Sequence, residues 1–261
     1  MIRRIVFAAL LAWGVGSGVV AHAQDLEEEK PRMPAARSAD AGQFLPFTLA
    51  SRVDSQRAFV TTLGGYDSAR QSALLQGSTE INVWGPIAIR AGVVYTETTN
   101  TLQPTFGAHV QLLKQEHHGV DGSVLVVYKP EGFTEGEGEI EAAFTVGRRF
   151  GRTGIFGNLV YGQDPEGNER DGEVRAAALY SLRENLQAGF DTRLRFDLGS
   201  SNTAQRIAKL EADYDLVAGP TASYCLGPFA VIAQGGASLF KLSNQSLRTG
   251  GIGLAGIAAV Y

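Results

Sequence analysis

At 261 residues the chain is long enough for one large all-β domain or two smaller ones, and 44% hydrophobic residues with 32 Gly and only 9 Pro exclude a disordered polymer. After residue 24 no stretch reaches the roughly 18 consecutive apolar residues of a spanning helix, so residence in a bilayer would have to be as strands. The formal net charge is −4, and a leader carrying Arg3 and Arg4 away would leave 21 Lys+Arg against 27 Asp+Glu, a net −6, which argues against a dedicated nucleic-acid surface.

Residues 1–23 open with the basic Arg3 and Arg4, run apolar from Ile5 to Val20 and end in Ala21-His22-Ala23. A basic start, an apolar centre and an A-x-A ending predict a secretory signal cleaved after Ala23. Glycine interruptions in the apolar run argue against an anchor helix. No cysteine near the cleavage site could carry a lipid, and Cys225, alone in the chain, cannot form an internal disulfide. Residues 24–56 are polar, with Glu27-Glu28-Glu29, Pro31 and Pro34, and are expected to form a flexible periplasmic lead-in. Its apolar piece Phe44-Leu45-Pro46-Phe47 could tuck into the mouth of a barrel, but a loosely held tail is the expectation.

From Arg57 onward apolar and polar residues alternate at strand period, and strands are predicted at 57–66, 73–83, 87–97, 105–116, 122–129, 137–147, 153–162, 173–182, 186–197, 206–217, 229–240 and 249–261. Most are about ten residues long, enough to cross a bilayer at a tilt. In 137–147, Ile140, Ala142, Phe144 and Val146 oppose Glu139, Glu141, Ala143 and Thr145. The clearest ribbon is Glu173 to Leu198. Pairing Leu182 with Leu186 around Arg183-Glu184-Asn185 keeps the apolar residues on one side and sets Glu173 opposite Arg195. It also sets Arg175 opposite Arg193, a repulsive pair unless Asp191 and Glu173 sit diagonally between them. The stretch from Arg206 to Leu226 holds Gly219-Pro220 yet keeps its phase through Ala222, Tyr224 and Leu226, so one long strand with a bulge or bend is expected.

Connections alternate in length. Trp84-Gly85-Pro86, His117 to Asp121, Arg148 to Arg152, Arg183-Glu184-Asn185 and Leu226-Gly227-Pro228 are tight, whereas 98–104, 130–136, 163–172, 198–205 and 241–248 are longer and polar. Tyr66, Tyr95, Tyr128 and Tyr161 close odd-numbered strands beside the long loops, and Tyr261 ends the chain on the opposite side, as expected of an interfacial aromatic girdle. With these features residues 57–261 resemble the bacterial outer-membrane β-barrel proteins, a porin-like class. The resemblance implies an all-β, transmembrane, antiparallel up-and-down barrel of about twelve strands, with apolar side chains facing lipid and charged ones facing the lumen. It also implies both termini in the periplasm, outer-membrane lipids as surroundings, and recognition by the barrel assembly machinery, whose aromatic-ended signal residues 256–261 resemble.

Gly251-Ile252-Gly253-Leu254-Ala255-Gly256 fits G-x-G-x-x-G, but too little chain follows for a dinucleotide-binding helix, and curvature or close packing in a last strand is the expected role. His109, His117 and His118 stand at no ligand spacing with Cys or carboxylates, so no metal site and no cofactor are expected. The acidic loop Gln163 to Asp171 lacks the spacing of a calcium loop. The candidate residues are therefore the lumen face: Glu80, Arg90, His109, Glu139, Glu141, Arg175, Asp191, Arg193, Arg195, Lys209, Glu211 and Asp213. These would line a narrow pore passing small polar solutes, or pair across the lumen and shut it, leaving the long loops as an interaction surface. A barrel that modifies lipids would need a nucleophile near His109, and a secreted β-sandwich would pack the same apolar faces together.

Overall fold

Period-two alternation with turn residues between segments yields twelve strands, named here in chain order: β1 (Ala58–Asp67), β2 (Ser72–Trp84), β3 (Ile87–Thr96), β4 (Thr101–Leu113), β5 (Asp121–Pro130), β6 (Gly138–Phe150), β7 (Thr153–Gln163), β8 (Glu169–Arg183), β9 (Leu186–Ser200), β10 (Ala212–Leu226), β11 (Phe229–Leu242) and β12 (Arg248–Val260). This computed structural model describes residues 45–49, 53, 58–97, 101–130, 138–165, 169–200, 212–243 and 245–260. The expected signal, most of the lead-in, Lys209, Glu211, Tyr261 and parts of the loops lie outside the described residues. Each strand pairs antiparallel with its chain neighbours, and β1 pairs with β12 from Phe59↔Val260 to Asp67↔Ile252, closing the sheet into a barrel.

Four connections at one end are two-residue hairpins, at Gly85-Pro86, Gly151-Arg152, Glu184-Asn185 and Gly227-Pro228. Glycine opens three of them with φ of 48°, 58° and 60°, the backbone that matches the right-handed twist of the flanking strands. The predicted tight turn at His117 is instead a one-turn helix, α1 (Gln115–His118), between β4 and β5. The Gln115 side chain clamps it to β6, accepting from the Arg149 N–H at 2.8 Å and donating to the Arg149 carbonyl at 2.9 Å.

Glu173↔Arg195 and Arg175↔Arg193 pair as the alternation predicts, but Leu182 does not oppose Leu186. Arg183 takes that place, and the ladder bulges between Ser181 and Arg183. A two-residue turn needs this extra residue to reach the register fixed by the apolar face. β10 runs unbroken through Gly219-Pro220, and the β11 ladder resumes in the same register on either side, Ala218↔Ala237 and Thr221↔Gln234. The expected single strand is present; the bulge in its ladder lies near its start, between Ala212 and Tyr214.

Every strand carries large apolar side chains exposed on the outer face, from Tyr66 on β1 to Ile257 on β12. Buried inside are polar groups such as His109, Gln111, Asn158, Glu173, Asp191 and Asp215. A β-sandwich would have packed the apolar faces against each other, so the soluble alternative is overturned by the closed, apolar-out sheet. Such a surface suits hydrocarbon, where closure also leaves no unpaired strand edge.

Several strands outrun their predicted ends. β4 begins at Thr101, β8 at Glu169, and β6 continues to Phe150. Ladder hydrogen bonds do not require an apolar outer face, so pairing continues into chain whose pattern reads as loop.

Candidate functional site

Glu80, Arg90, Glu141, Arg175, Arg193 and Arg195 border an interior cavity of about 320 Å³. His109 and Asp191 are buried in the sheet wall, and Glu139 and Asp213 are half-buried. The side chains are paired. Glu173 lies at the centre of the largest group: Arg175 donates to both of its oxygens, Nε at 2.8 Å and an Nη at 3.1 Å, and Arg193 Nε approaches at 3.6 Å. Arg193 also donates to Asp215, which is fully buried and accepts as well from Arg70, a residue of the β1–β2 loop turned into the barrel mouth. Glu173 lies between Arg175 and Arg193, while the Asp191 carboxylate is hydrogen-bonded to Phe47 and Thr48.

A second group joins β5 to β6, where Lys129 donates to Glu141 and lies 3.6 Å from Glu139. Arg195 donates to Asp171, a residue predicted to lie in the acidic loop and found on β8. Asp213 accepts from the Ser243 hydroxyl. The candidate residues left out Asp171, Lys129, Glu173 and Asp215, although Glu173 was expected between Arg175 and Arg193, and Glu173 and Asp215 alternate in phase with Arg175 and Asp213.

His109 bridges a third group. Its Nδ1 lies 3.1 Å from Glu80, which also faces Arg90 at 3.5 Å, and its Nε2 lies 2.7 Å from the Ser123 hydroxyl, which bonds in turn to Thr145 at 2.5 Å. A carboxylate, an imidazole and a serine in sequence are the parts of a nucleophilic relay. Here Ser123 and Thr145 are fully buried, so the hydroxyl has no open side toward the cavity. His117 and His118 sit apart on α1, their rings edge-on at 6.3 Å, and among the described residues no three His, Cys, Asp or Glu side chains converge at metal-binding geometry. His109→Ala is expected to lower stability by about 1–3 kcal/mol by removing one hydrogen-bond partner each from half-buried Glu80 and buried Ser123. The urea midpoint of the refolded barrel measures this, and an unchanged midpoint would contradict it.

The lumen also holds chain from ahead of β1. Leu45–Leu49 lie inside the barrel, correcting the expectation of a loosely held tail for these five residues. The Asp191 carboxylate accepts the Phe47 N–H at 2.8 Å, the Thr48 N–H at 3.4 Å and the Thr48 hydroxyl at 2.6 Å. Asn158 accepts the Leu49 N–H at 2.7 Å and donates to its carbonyl at 3.3 Å. Arg175 donates to the Phe47 carbonyl at 3.2 Å, and the Arg193 guanidinium lies 4.9 Å over the Phe47 ring. Further along, the Val53 N–H donates to Gln111 at 2.6 Å.

Tyr66, Tyr128 and Tyr161 are exposed on the outer face at the long-loop end, with Tyr95 half-buried beside them. The opposite end carries a belt that sequence reading represented by Tyr261 alone: Trp84, Phe150, Tyr180, Tyr224 and Phe229 are all exposed there. Their position beside the tight turns, in phase with the apolar face, was the available signal.

Neither a protein-family model nor a curated protein sequence matches the chain. Among solved structures, the NanC porin superposes with a TM-score of 0.54 at 9% identity, over 77% of this chain and 98% of the porin. An outer-membrane channel from Pseudomonas putida F1 superposes with a TM-score of 0.52 at 9% identity, over 90% of this chain and 100% of the channel. The fold is that of a bacterial outer-membrane β-barrel. The charged groups described above lie on the inner side of the sheet, between the two aromatic belts.

Proposed function

We propose that the chain is a porin-like passive channel of the outer membrane for small polar solutes, with its tight turns in the periplasm and its long loops outside. The observation that carries this reading is the cavity of about 320 Å³ enclosed by a closed barrel and bordered by both signs of charge. Twelve strands give a lumen between the side-chain-filled eight-stranded barrels and the open sixteen-stranded porins. Guanidinium and carboxylate groups held by buried partners present a fixed field to a permeating solute, and charge rings of this kind set ion preference.

Conductance across a planar bilayer tests the reading, using the full chain and a variant with residues 45–49 replaced by glycine and serine. Ion current from neither protein would overturn it. In a conducting protein, Arg193→Gln with Arg195→Gln is expected to move the reversal potential in a salt gradient toward cation preference, because two fixed positive charges leave the lumen.

A second reading, a closed barrel acting through its long loops, is favoured by one specific observation. The lumen charges are largely satisfied by one another and the segment Leu45–Leu49 lies across the interior, an arrangement that leaves no wide passage.

A further inference from the structure

Three of the buried apolar clusters of the barrel are met by the internal segment. One is Phe156, Ala177 and Leu179; a second is Leu63, Val217, Ile252 and Leu254; a third is Leu125, Val127, Ala143 and Val160. Each is buried, and each is met by a different side chain of the internal segment: Leu45 by the first, Phe47 by the second, Leu49 by the third. The segment bends at Pro46, Phe47 and Thr48, so Leu45, Phe47 and Leu49 reach patches on different walls of the barrel.

Polar groups fix the backbone between these anchors. Asp191 takes two consecutive amides and a hydroxyl, Asn158 takes one residue's N–H and C=O, and Arg175 takes a carbonyl. Peptide recognition elsewhere combines main-chain hydrogen bonds for affinity with pockets for alternate side chains for specificity. Asp191 and Asn158 are nearly inaccessible, and their hydrogen-bonding groups are directed at the segment. Without it, a carboxylate and an amide would lose those bonds.

We propose that the lumen is a binding site for a short, bent peptide of the pattern apolar-x-aromatic-hydroxyl-apolar, occupied in cis by Leu45–Leu49. Resting on the channel reading above, occupancy of this site narrows the passage, and release of the segment widens it. Arg193 links the two states, since its guanidinium touches the peptide's aromatic ring on one side and the Glu173 and Asp215 carboxylates on the other.

The test uses the full-length protein and the variant with residues 45–49 replaced by glycine and serine, both folded into lipid vesicles and checked by heat-dependent gel migration. A fluorescent peptide, Leu-Pro-Phe-Thr-Leu with blocked ends, and its scrambled counterpart are the probes. The replaced variant is expected to bind the peptide at least about tenfold more tightly than the scrambled one and than the full chain does, and the peptide is expected to reduce its current. Asp191→Asn in that variant is expected to weaken binding about tenfold, the equivalent of losing charge assistance to the peptide's N–H and O–H donors. Gly253→Ala, on the exposed outer face where an added Cβ meets nothing within 4 Å, serves as the folded control with unchanged binding. A conducting variant that binds neither peptide, or both equally, overturns the proposal and leaves the channel reading standing. Specific binding to a barrel that carries no current upholds the site and overturns the channel reading.

Discussion

Glu173→Ala is expected to lower the unfolding free energy of the barrel by about 3–5 kcal/mol, the usual cost of removing one partner from a buried ion pair. Glu173 is 7% exposed, so water cannot replace it. Its loss leaves Arg175 and Arg193 directly opposed across the β8–β9 ladder with the intervening negative charge gone. Glu173→Gln keeps an acceptor oxygen and is expected to cost less. Replacing Glu173 and Arg175 together by leucine is expected to recover part of the loss, because a buried pair removed whole leaves fewer uncompensated charges. Urea titration of the vesicle-embedded protein gives all three values. Equal midpoints for wild type and Glu173→Ala would show that the charges reorganise without it.

Gly219→Val is expected to abolish the folded, heat-modifiable form. A Cβ at Gly219 would stand 2.1 Å from the Gly235 carbonyl oxygen and 2.5 Å from the Gly236 Cα, both backbone atoms of β11 that cannot rotate away. The adjacent strands β10 and β11 approach closely here, and β11 supplies Gly235-Gly236, small residues that admit that approach. Gly253→Ala is the control, since a Cβ there meets nothing within 4 Å, and it is expected to assemble normally. A folded Gly219→Val barrel would mean that the sheet flattens locally at little cost.

The barrel was legible in the sequence because its two faces have opposite chemistry and the alternation has a fixed period. Strand order, the register of β8 on β9 and the inward parity of the charged residues follow from that period alone. Asp191 shows where it stopped. Parity places its carboxylate inside, but choosing Phe47 and Thr48 over Arg175 and Arg193 as its hydrogen-bond donors depends on a segment whose own pattern is too short to read. His109 is similar: its partners Glu80 and Ser123 come from two different strands, and only the stagger of β2 through β5 brings them to one height. The glycines at 251, 253 and 256 were expected to provide curvature or close packing; a Cβ at Gly256 would lie 2.2 Å from the Thr62 carbonyl oxygen, while Gly251 and Gly253 have room. Whether a glycine is required depends on the neighbouring strand's backbone, which lies far away in sequence.

The seam between β1 and β12 has a consequence for the order in which the protein forms. Eleven of the twelve ladders join strands that are consecutive in the chain, but this one pairs Phe59 with Val260. It alone demands that the two ends of the barrel sequence meet, so it has the largest loop-closure entropy and is the last to become favourable. Leu45–Leu49 are tethered to β1 and bind residues of β7, β8 and β9, so before the seam closes they can meet those strands only by an open, long-range search. Closure brings β1 beside the finished wall and turns that search into a short reach from an adjacent anchor.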